Sequence, residues 1–474
     1  LNKKKSSFEF NRPTESDFAS GFWHKKWLSL KNLVAGKPAR IILTFFSGLI
    51  ALGTCLLLLP VSTISGQSPS FVVALFTSTS AVCVTGLVLV DTGSYWSTFG
   101  QVVILLLIQI GAIGFASSSV FILLTHKRAS FEERRMLQTA IGKGRQGVFK
   151  LAIFIILVTI ICEVIGAIFL FLGWLAELGA GKAAWWAIFH SVAAFANAGF
   201  DIAGTVEKPF PSLTAYNTNL VIILTIPVLI ILGGIGFNVI YELLNFPKTK
   251  RLSLHSKLSL WALLVLTITG TLLIWVKEAT NPKTLGGMNF AEQGANAFFQ
   301  SATPRTAGFN SLDLTVLDSS TIFIIMIWMF IGGGSGSTAG GVKATTLVVV
   351  GASLRSSLLG LPITLFKRTI PQRIVAQALA IGAIYTGFII VFTLLISLFE
   401  KVELTAIFFE VISAFCTVGL SLGITPQLSL VSQLLLVAGM FIGRLGVIVV
   451  ILALSSEQRS KPLVTYPEEE IMVG

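Results

Sequence analysis

Long apolar runs separated by short basic links dominate this chain. Nearly uncharged stretches cover residues 40–61, 99–125, 151–172, 218–241, 258–276, 321–347, 374–399 and 428–454. A helix needs about 20 apolar residues to cross a hydrocarbon layer about 30 Å thick, so the pattern predicts eight spans. Within each successive pair of spans lies a shorter, semi-apolar stretch: 71–87, 185–200, 291–309 and 404–420. These are too short to cross and each ends in a glycine turn, which predicts re-entrant segments. The expected fold is therefore an all-α integral membrane protein of four span–pore-helix–span repeats. They occupy 39–125, 148–241, 256–350 and 372–455, between polar tails at 1–38 and 456–474.

Composition agrees with that reading. Of the 474 residues, 54% are hydrophobic and only 12% are charged, with a mean hydropathy of +0.85. A soluble domain carries roughly twice that share of charge, and too few polar residues are present for disorder. The net charge of +12 would suggest nucleic acid in a soluble protein, but its distribution argues otherwise. The first 40 residues, the links at 126–150, 242–257 and 343–373, and the C-terminal tail hold 27 of the 34 Lys and Arg residues. By the positive-inside rule this places both termini in the cytoplasm of a multi-pass cell-membrane protein, with no role for nucleic acid. No cleavable signal peptide is expected ahead of the first span. Cys55, Cys83, Cys162 and Cys416 lack metal-type spacing and read as small buried residues. The four histidines form no cluster, and no convergent nucleophile or metal-ligand set marks an enzyme.

The four short segments align on one glycine each. Gly86, Gly199, Gly308 and Gly419 lie 113, 109 and 111 residues apart, and ten residues before each stands Phe76, Phe189, Phe298 or Phe409. The aligned turns read Val84-Thr85-Gly86-Leu87, Asn197-Ala198-Gly199-Phe200, Thr306-Ala307-Gly308-Phe309 and Thr417-Val418-Gly419-Leu420. A second glycine pattern follows on the next spans, at Gly111, Gly233, Gly333 and Gly443, where close helix packing is an equally good explanation.

A short helix ending near mid-membrane points its partially negative C-terminus at the centre, and the extended return strand lines the axis with carbonyls. Irregular backbone is tolerated at that depth only where it lines a cavity or is walled by protein, and glycine permits the φ > 0 turn. Carbonyl dipoles that replace an ion's hydration shell are how a potassium filter works. Asp201, with Asp91 and Asp313, is expected at the outer mouth, unless these are ordinary loop acids. The expected filter therefore comprises Val84, Thr85, Gly86, Asn197, Ala198, Gly199, Thr306, Ala307, Gly308, Thr417, Val418 and Gly419, with K+ on their backbone carbonyls. No cofactor is expected.

From these residues, together with Gly332 to Lys343, the chain resembles the Trk/Ktr/HKT superfamily of potassium transporters over nearly all of 39–455. Trk-type members carry an extra pair of N-terminal spans. None stands before Arg40, so the chain is more similar to the KtrB-type membrane subunit of the Ktr branch. The resemblance implies potassium uptake through one pseudo-fourfold subunit, a homodimer, and a cytosolic ring of nucleotide-binding RCK (KtrA-like) subunits. Sodium as an activator is left open. In the plant branch, serine in place of the first filter glycine goes with sodium transport, and glycine at all four positions here favours potassium. The alternatives are a sodium-permeable HKT-like transporter or an alternating-access carrier. A carrier would show two halves broken at matching places, whereas the sequence shows one broken span.

That break runs through Gly332, Gly333, Gly334, Ser335, Gly336, Ser337, Thr338, Ala339, Gly340 and Gly341. Each glycine costs a helix roughly 1 kcal/mol relative to alanine, so the stretch reads as a flexible loop at membrane depth. A phosphate loop is excluded because Val342 stands where lysine is required and no strand precedes it. The resemblance makes this stretch an intramembrane gate. Arg444, in the last span, costs about 2.5–3.5 kcal/mol to insert and is expected below the filter against the gating loop. An ion pair with Glu163 or Glu410 is the alternative. Lys343, at the end of the loop, is expected on helix-end carbonyls, on a partner, or as a topological anchor. Glu292 and Glu410 are expected at pore-helix ends or behind the filter, and Arg305 as a brace on the third filter strand. Candidate docking surfaces are the basic link from Lys127 to Arg145 and the tail from Tyr466 to Gly474.

Overall fold

The computed structural model describes residues 38–125 and 145–446. The tails, the last part of the eighth span and all of the Lys127–Arg145 link but its final residue lie outside the described residues. Among the described residues the regular structure is helical, apart from one two-stranded hairpin. Helix α1 (Pro38–Leu57) is followed by a short α2 (Phe71–Val82) and by α3 (Thr98–Thr125). Helix α4 (Arg145–Ala196) is divided at Gly179, whose φ of 72° separates the second repeat's span from its pore helix. Helices α5 (Leu220–Gly234) and α6 (Phe237–Thr249) meet at an angle of 95°. Then come α7 (Leu254–Glu278), α8 (Phe290–Ala302), α9 (Ser319–Phe330) and α10 (Ala344–Leu359). Strands β1 (Thr364–Leu365) and β2 (Arg368–Thr369) lead to α11 (Gln372–Ser397), α12 (Leu404–Phe415) and α13 (Leu430–Leu445).

Among the described residues five helices are long and apolar enough to cross a membrane, or six if α5 and α6 count as one bent span. The first span shows how the pattern is used. Ile42, Phe46 and Ile50, four residues apart, face inward, while Ile41, Phe45 and Leu52 are exposed, as lipid contact allows. Two of the short helices that lead into the glycine turns, α2 and α8, start at side-chain caps. Ser70 Oγ accepts from the Val73 amide, and Asn289 and Glu292 form a reciprocal capping box at α8.

Packing runs in one direction around the molecule. Each helix that follows a glycine turn lies against the short helix that leads into the next turn: α3 on the second half of α4, α5 on α8, α9 on α12 and α13 back on α2. Trp185 Nε1 of α4 donates to Gln101 Oε1 of α3 at 2.8 Å, one side-chain link of that series. The second glycine pattern is close packing. A Cβ on Gly111, Gly233 or Gly443 would stand 1.9–2.2 Å from the carbonyl oxygen of Val82, Phe195 or Phe415, each four residues before the aligned turn glycine. The third repeat has Pro304 at that position, and its Gly333 packs instead on Ala339 and Gly234.

Two expectations are corrected. The fourth span is not continuous: it ends at Gly234 and resumes after Gly236, whose φ is 103°. Nor are all cysteines buried. Cys83 and Cys416 are, whereas Cys55 is exposed on α1 and Cys162 is half-buried, because each sits on a lipid-side helix face.

Candidate functional site

The four glycine turns share one backbone conformation. The residue two before each glycine has positive φ in every case: Val84 55°, Asn197 61°, Thr306 69° and Thr417 51°. The glycines follow at 96°, 68°, 76° and 92°. Left-handed conformation is uncommon for residues with a side chain, and here it recurs at one aligned position in four sequences that share few side chains. In three turns the amide just before the glycine donates to the carbonyl five residues back: Thr85 to Ser80, Ala198 to Ala193 and Val418 to Ser413, each at 2.8 Å. The third turn is tighter, with the Ala307 amide reaching Thr303 at 3.0 Å.

The turns also touch in cyclic order. A Cβ on Gly86 would stand 2.6 Å from Ala198 O, and one on Gly199 2.8 Å from Ala307 O. A Cβ on Gly308 would meet Val418 O at 2.7 Å, and one on Gly419 would meet Thr85 O at 2.2 Å, which closes the series. The predicted filter residues are thus brought together as four adjacent backbones.

Each turn is braced differently. Ser80 Oγ and Ser413 Oγ accept from the Gly86 and Gly419 amides at 3.0 and 3.1 Å. The second and third repeats have Ala193 and Ala302 at that place. In the second, His190 Nε2 accepts from the Ile202 amide at 3.4 Å; in the third, Thr303 Oγ1 donates to Phe309 O at 2.7 Å. Glu410 accepts from Ser421 and Thr425 hydroxyls just past the fourth turn. The expected brace at Arg305 is corrected. Its side chain turns away from the filter, donates through Nη1 to Leu263 O at 3.4 Å, and borders a small void with Gly234 and Gly333.

On one side the four glycines face an open cavity of about 600 Å³ that Asp91, Asp201, Asp313 and Lys208 also line. Asp91 is bound by the Ser94 amide and hydroxyl and by the Phe210 amide, at 2.7–2.9 Å, so it staples two loops together. Asp313 caps the turn at Thr315. Asp201 is half-buried with one bond, from the Ala203 amide at 3.2 Å. Burial, and then the Asp91 carboxylate, push its carboxyl up to about 7.

On the other side lies the glycine-rich segment, buried apart from Ser335 and Lys343. The loose loop expected from its composition is instead held on both flanks. Gly334 and Thr338 amides donate to Gly234 O and Gly233 O at 2.8 and 3.2 Å, and the Phe237 amide donates to Gly336 O at 3.0 Å. The break between α5 and α6 is thereby explained. Carbonyls and amides freed at the helix ends pair with the loop, and the glycines admit that close approach. A Cβ on Gly332 would stand 2.0 Å from Gly340 O, and one on Gly340 2.0 Å from Thr417 Oγ1 of the fourth turn. Thr338 Oγ1 reaches Phe195 O at the end of the second pore helix.

Arg444 is buried and donates from Nη1 to Thr338 O at 2.6 Å, with its guanidinium 4.3 Å from the Phe115 ring centre. The ion-pair alternative is not what the side chains form: Glu163 accepts from Gln109, and Glu410 from the hydroxyls named above. Lys343 Nζ donates to Ala339 O at 2.7 Å and also lies over Phe115. The sequence reading missed Phe115, the Gly233–Gly234 carbonyls and Glu278. Glu278 is fully buried at the end of α7 and accepts from Asn281, Thr284, Thr321 and the Asp318 amide. A lone acid followed at short spacing by Asn281 and Thr284 was the available signal.

Residues 24–465 match the family model for TrkH, described as a cation transport protein. The chain is 40% identical to the potassium/sodium uptake protein NtpJ of Enterococcus hirae, over 92% of this chain and 97% of that one. It is 36% identical to the Ktr system potassium uptake protein B of Bacillus subtilis, with the same coverage of 92% and 97%. The crystal structure of the potassium transporter TrkH from Vibrio parahaemolyticus is similar in fold, with a TM-score of 0.69 and 19% identity, over 88% of this chain and 84% of that one.

Proposed function

Because the chain belongs to the TrkH family of cation transport proteins, we propose that it takes up potassium across the cell membrane through one pore. In this reading four pseudo-fourfold hairpin units surround the pore, and both termini are cytoplasmic. The observation that carries it is the closed series of glycine turns. Four backbones with the same positive-φ step stand carbonyl to glycine around a centre, which offers a dehydrated cation peptide oxygens on all sides. The hydroxyls of Thr306 and Thr417 have no protein partner among the described residues and add further oxygens at the same level. The acid-lined cavity collects cations at the mouth, and the helix C-termini favour positive charge at the centre.

The loop from Gly332 to Gly341 acts as the gate on the far side of the filter, with Arg444 and Lys343 as its latches and as fixed positive charges near the path. A carrier with two equivalent halves is disfavoured, because the broken spans belong to the second and third units. The Bacillus relative is named as part of a Ktr system. A cytosolic RCK-type nucleotide-binding ring and a homodimer complete the reading, with docking assigned to the basic link and the C-terminal tail. The name of the Enterococcus relative includes sodium, which keeps sodium permeation as the second reading.

Purified protein in liposomes separates the two. Passive potassium flux with sodium excluded supports the first, and equal permeation of both ions overturns it. Gly86→Ser places a Cβ 2.6 Å from Ala198 O and is expected to erase the discrimination.

A further inference from the structure

Among the described residues, α6 is the helix that leaves the preceding apolar helix, α5, at 95°. If α5 crosses the bilayer, α6 runs along its surface. Its composition suits that position. Ile240, Leu243, Leu244 and Pro247 recur at i, i+3, i+4 and i+7, the spacing of one helical face. Ile240 packs against the core, but Leu243 is 39% and Leu244 63% exposed and Pro247 is exposed too, so among the described residues the outer part of the stripe is uncovered. The helix ends in Lys248, Lys250 and Arg251, all exposed and without an ion pair among the described residues. The adjacent acid, Glu242, is engaged by the Ser253 amide at 2.8 Å. An apolar stripe beside a cluster of free cations is the composition of a helix that lies in a headgroup layer.

The other end of α6 is tied to the loop. The Phe237 amide donates to Gly336 O at 3.0 Å, and the hinge at Gly236 lies against Ser335 O. Just before the hinge, Gly234 O accepts from Gly334 at 2.8 Å. Rotation of α6 about Gly236 would therefore pull on the loop through main-chain bonds alone.

We propose that α6 is a surface lever. Its stripe lies between headgroups and acyl chains, its basic end holds anionic phospholipid headgroups, and its position sets how firmly the glycine-rich loop is held. The proposal rests on the loop being the gate. Anionic lipid keeps the bend seen here and so keeps the loop closed. Charge complementarity favours lipid over a second copy of the chain, since the basic end would face its own like charges across a twofold contact. Each cation near an anionic surface contributes roughly a fivefold factor to attachment.

The test compares native protein with the triple variant Lys248→Gln, Lys250→Gln, Arg251→Gln in vesicles of phosphatidylcholine, with and without phosphatidylglycerol. Basal potassium flux of the native protein is expected to fall severalfold when phosphatidylglycerol is present, and that of the variant to stay at the phosphatidylcholine level. Surface enrichment of potassium acts in the opposite direction and equally on both proteins. A second arm places a fluorophore at Leu244→Cys in a Cys55→Ser, Cys162→Ser background and quenches it with brominated lipids. Stronger quenching by phosphatidylglycerol than by phosphatidylcholine, lost in the triple variant, supports the lever. Equal responses of native and variant, or no quenching by either lipid because another protein surface covers the stripe, overturn it. Absence of cation flux in every vesicle sinks the transport reading instead and leaves the quenching result to stand by itself.

Discussion

Replacing Arg444 by methionine isolates the latch on the loop. The guanidinium makes one charged hydrogen bond, to Thr338 O at 2.6 Å, and stacks 4.3 Å from the Phe115 ring. A hydrogen bond to a charged group contributes about 1.5–3 kcal/mol, and a desolvated cation–π contact about 2 kcal/mol. Methionine fills much of the same volume and keeps a sulfur–aromatic contact worth about 1 kcal/mol. The net loss to the closed loop is then about 3 kcal/mol, or roughly a 150-fold rise in the displaced population. Removal of a positive charge beside the path acts in the same direction. Potassium efflux from proteoliposomes, with no partner protein present, is expected to rise by that factor. Arg444→Lys keeps the charge but shortens the reach. It should give an intermediate flux if the latch dominates and a near-native one if repulsion does. Variant protein that elutes and melts like the native chain, yet conducts no faster, would refute the latch.

Gly332→Ala forces a Cβ to within 2.0 Å of Gly340 O. The loop then cannot pack as it does here, and basal flux should rise at least tenfold (roughly 1.4 kcal/mol) with potassium selectivity intact. Asp201, raised to about 7 by burial and the Asp91 carboxylate, loses its charge at the mouth as pH falls. Uptake should therefore increase from pH 6 to pH 8, and Asp201→Asn should flatten the profile at the lower level. The same raised value means that stability falls as pH climbs from the ordinary carboxylate range through about 7, because the unfolded chain ionises that group more readily. Asp91→Ala removes the acceptor for the Ser94 and Phe210 amides and should cost about 3 kcal/mol, read as a lower melting temperature.

The apolar helices and the four glycine turns were legible because both leave a mark in residue type. Apolar length marks a span, and a glycine ten residues after a phenylalanine marks a turn whose φ excludes most side chains. Phe76, Phe189 and Phe409 are fully buried, as a repeated packing role requires, while in the third unit Phe299 takes the buried place beside the aligned Phe298. The position of Arg444 against the loop was legible from cost alone, since a charge at that depth needs a partner. The break at Gly236 was not. Gly233-Gly234-Ile235-Gly236 looks like helix-packing glycine, and Gly233 does pack on Phe195. What stops the helix is the demand of the loop for main-chain partners at Gly233 O, Gly234 O and the Phe237 amide, and main-chain groups are the same in every sequence. Arg305 misled for a related reason. It stands one residue before the third turn, but that turn is closed by its own Thr303, through the Ala307 amide and Phe309 O, which leaves the buried arginine to reach Leu263 O instead.

The same contrast separates what the four units share from what they do not. The step of φ at Val84, Asn197, Thr306 and Thr417 is common to all, as a site built from equivalent carbonyls requires. The braces behind it are a serine twice, a histidine once and a threonine once, so each turn is held with its own stiffness. The loop is bonded to or packed on the second and fourth of them: Phe195 just before the second turn, and Cys416 and Thr417 at the fourth. Force applied through the loop therefore reaches the ring unevenly. Substitutions in the loop should disturb ion preference through the second and fourth turns before the first, and Ser413→Ala, which removes the hydroxyl under Gly419, should be more sensitive to loop mutations than the matching Ser80→Ala. Equal sensitivity of the two in competition-flux measurements would mean that the loop and the ring are mechanically independent.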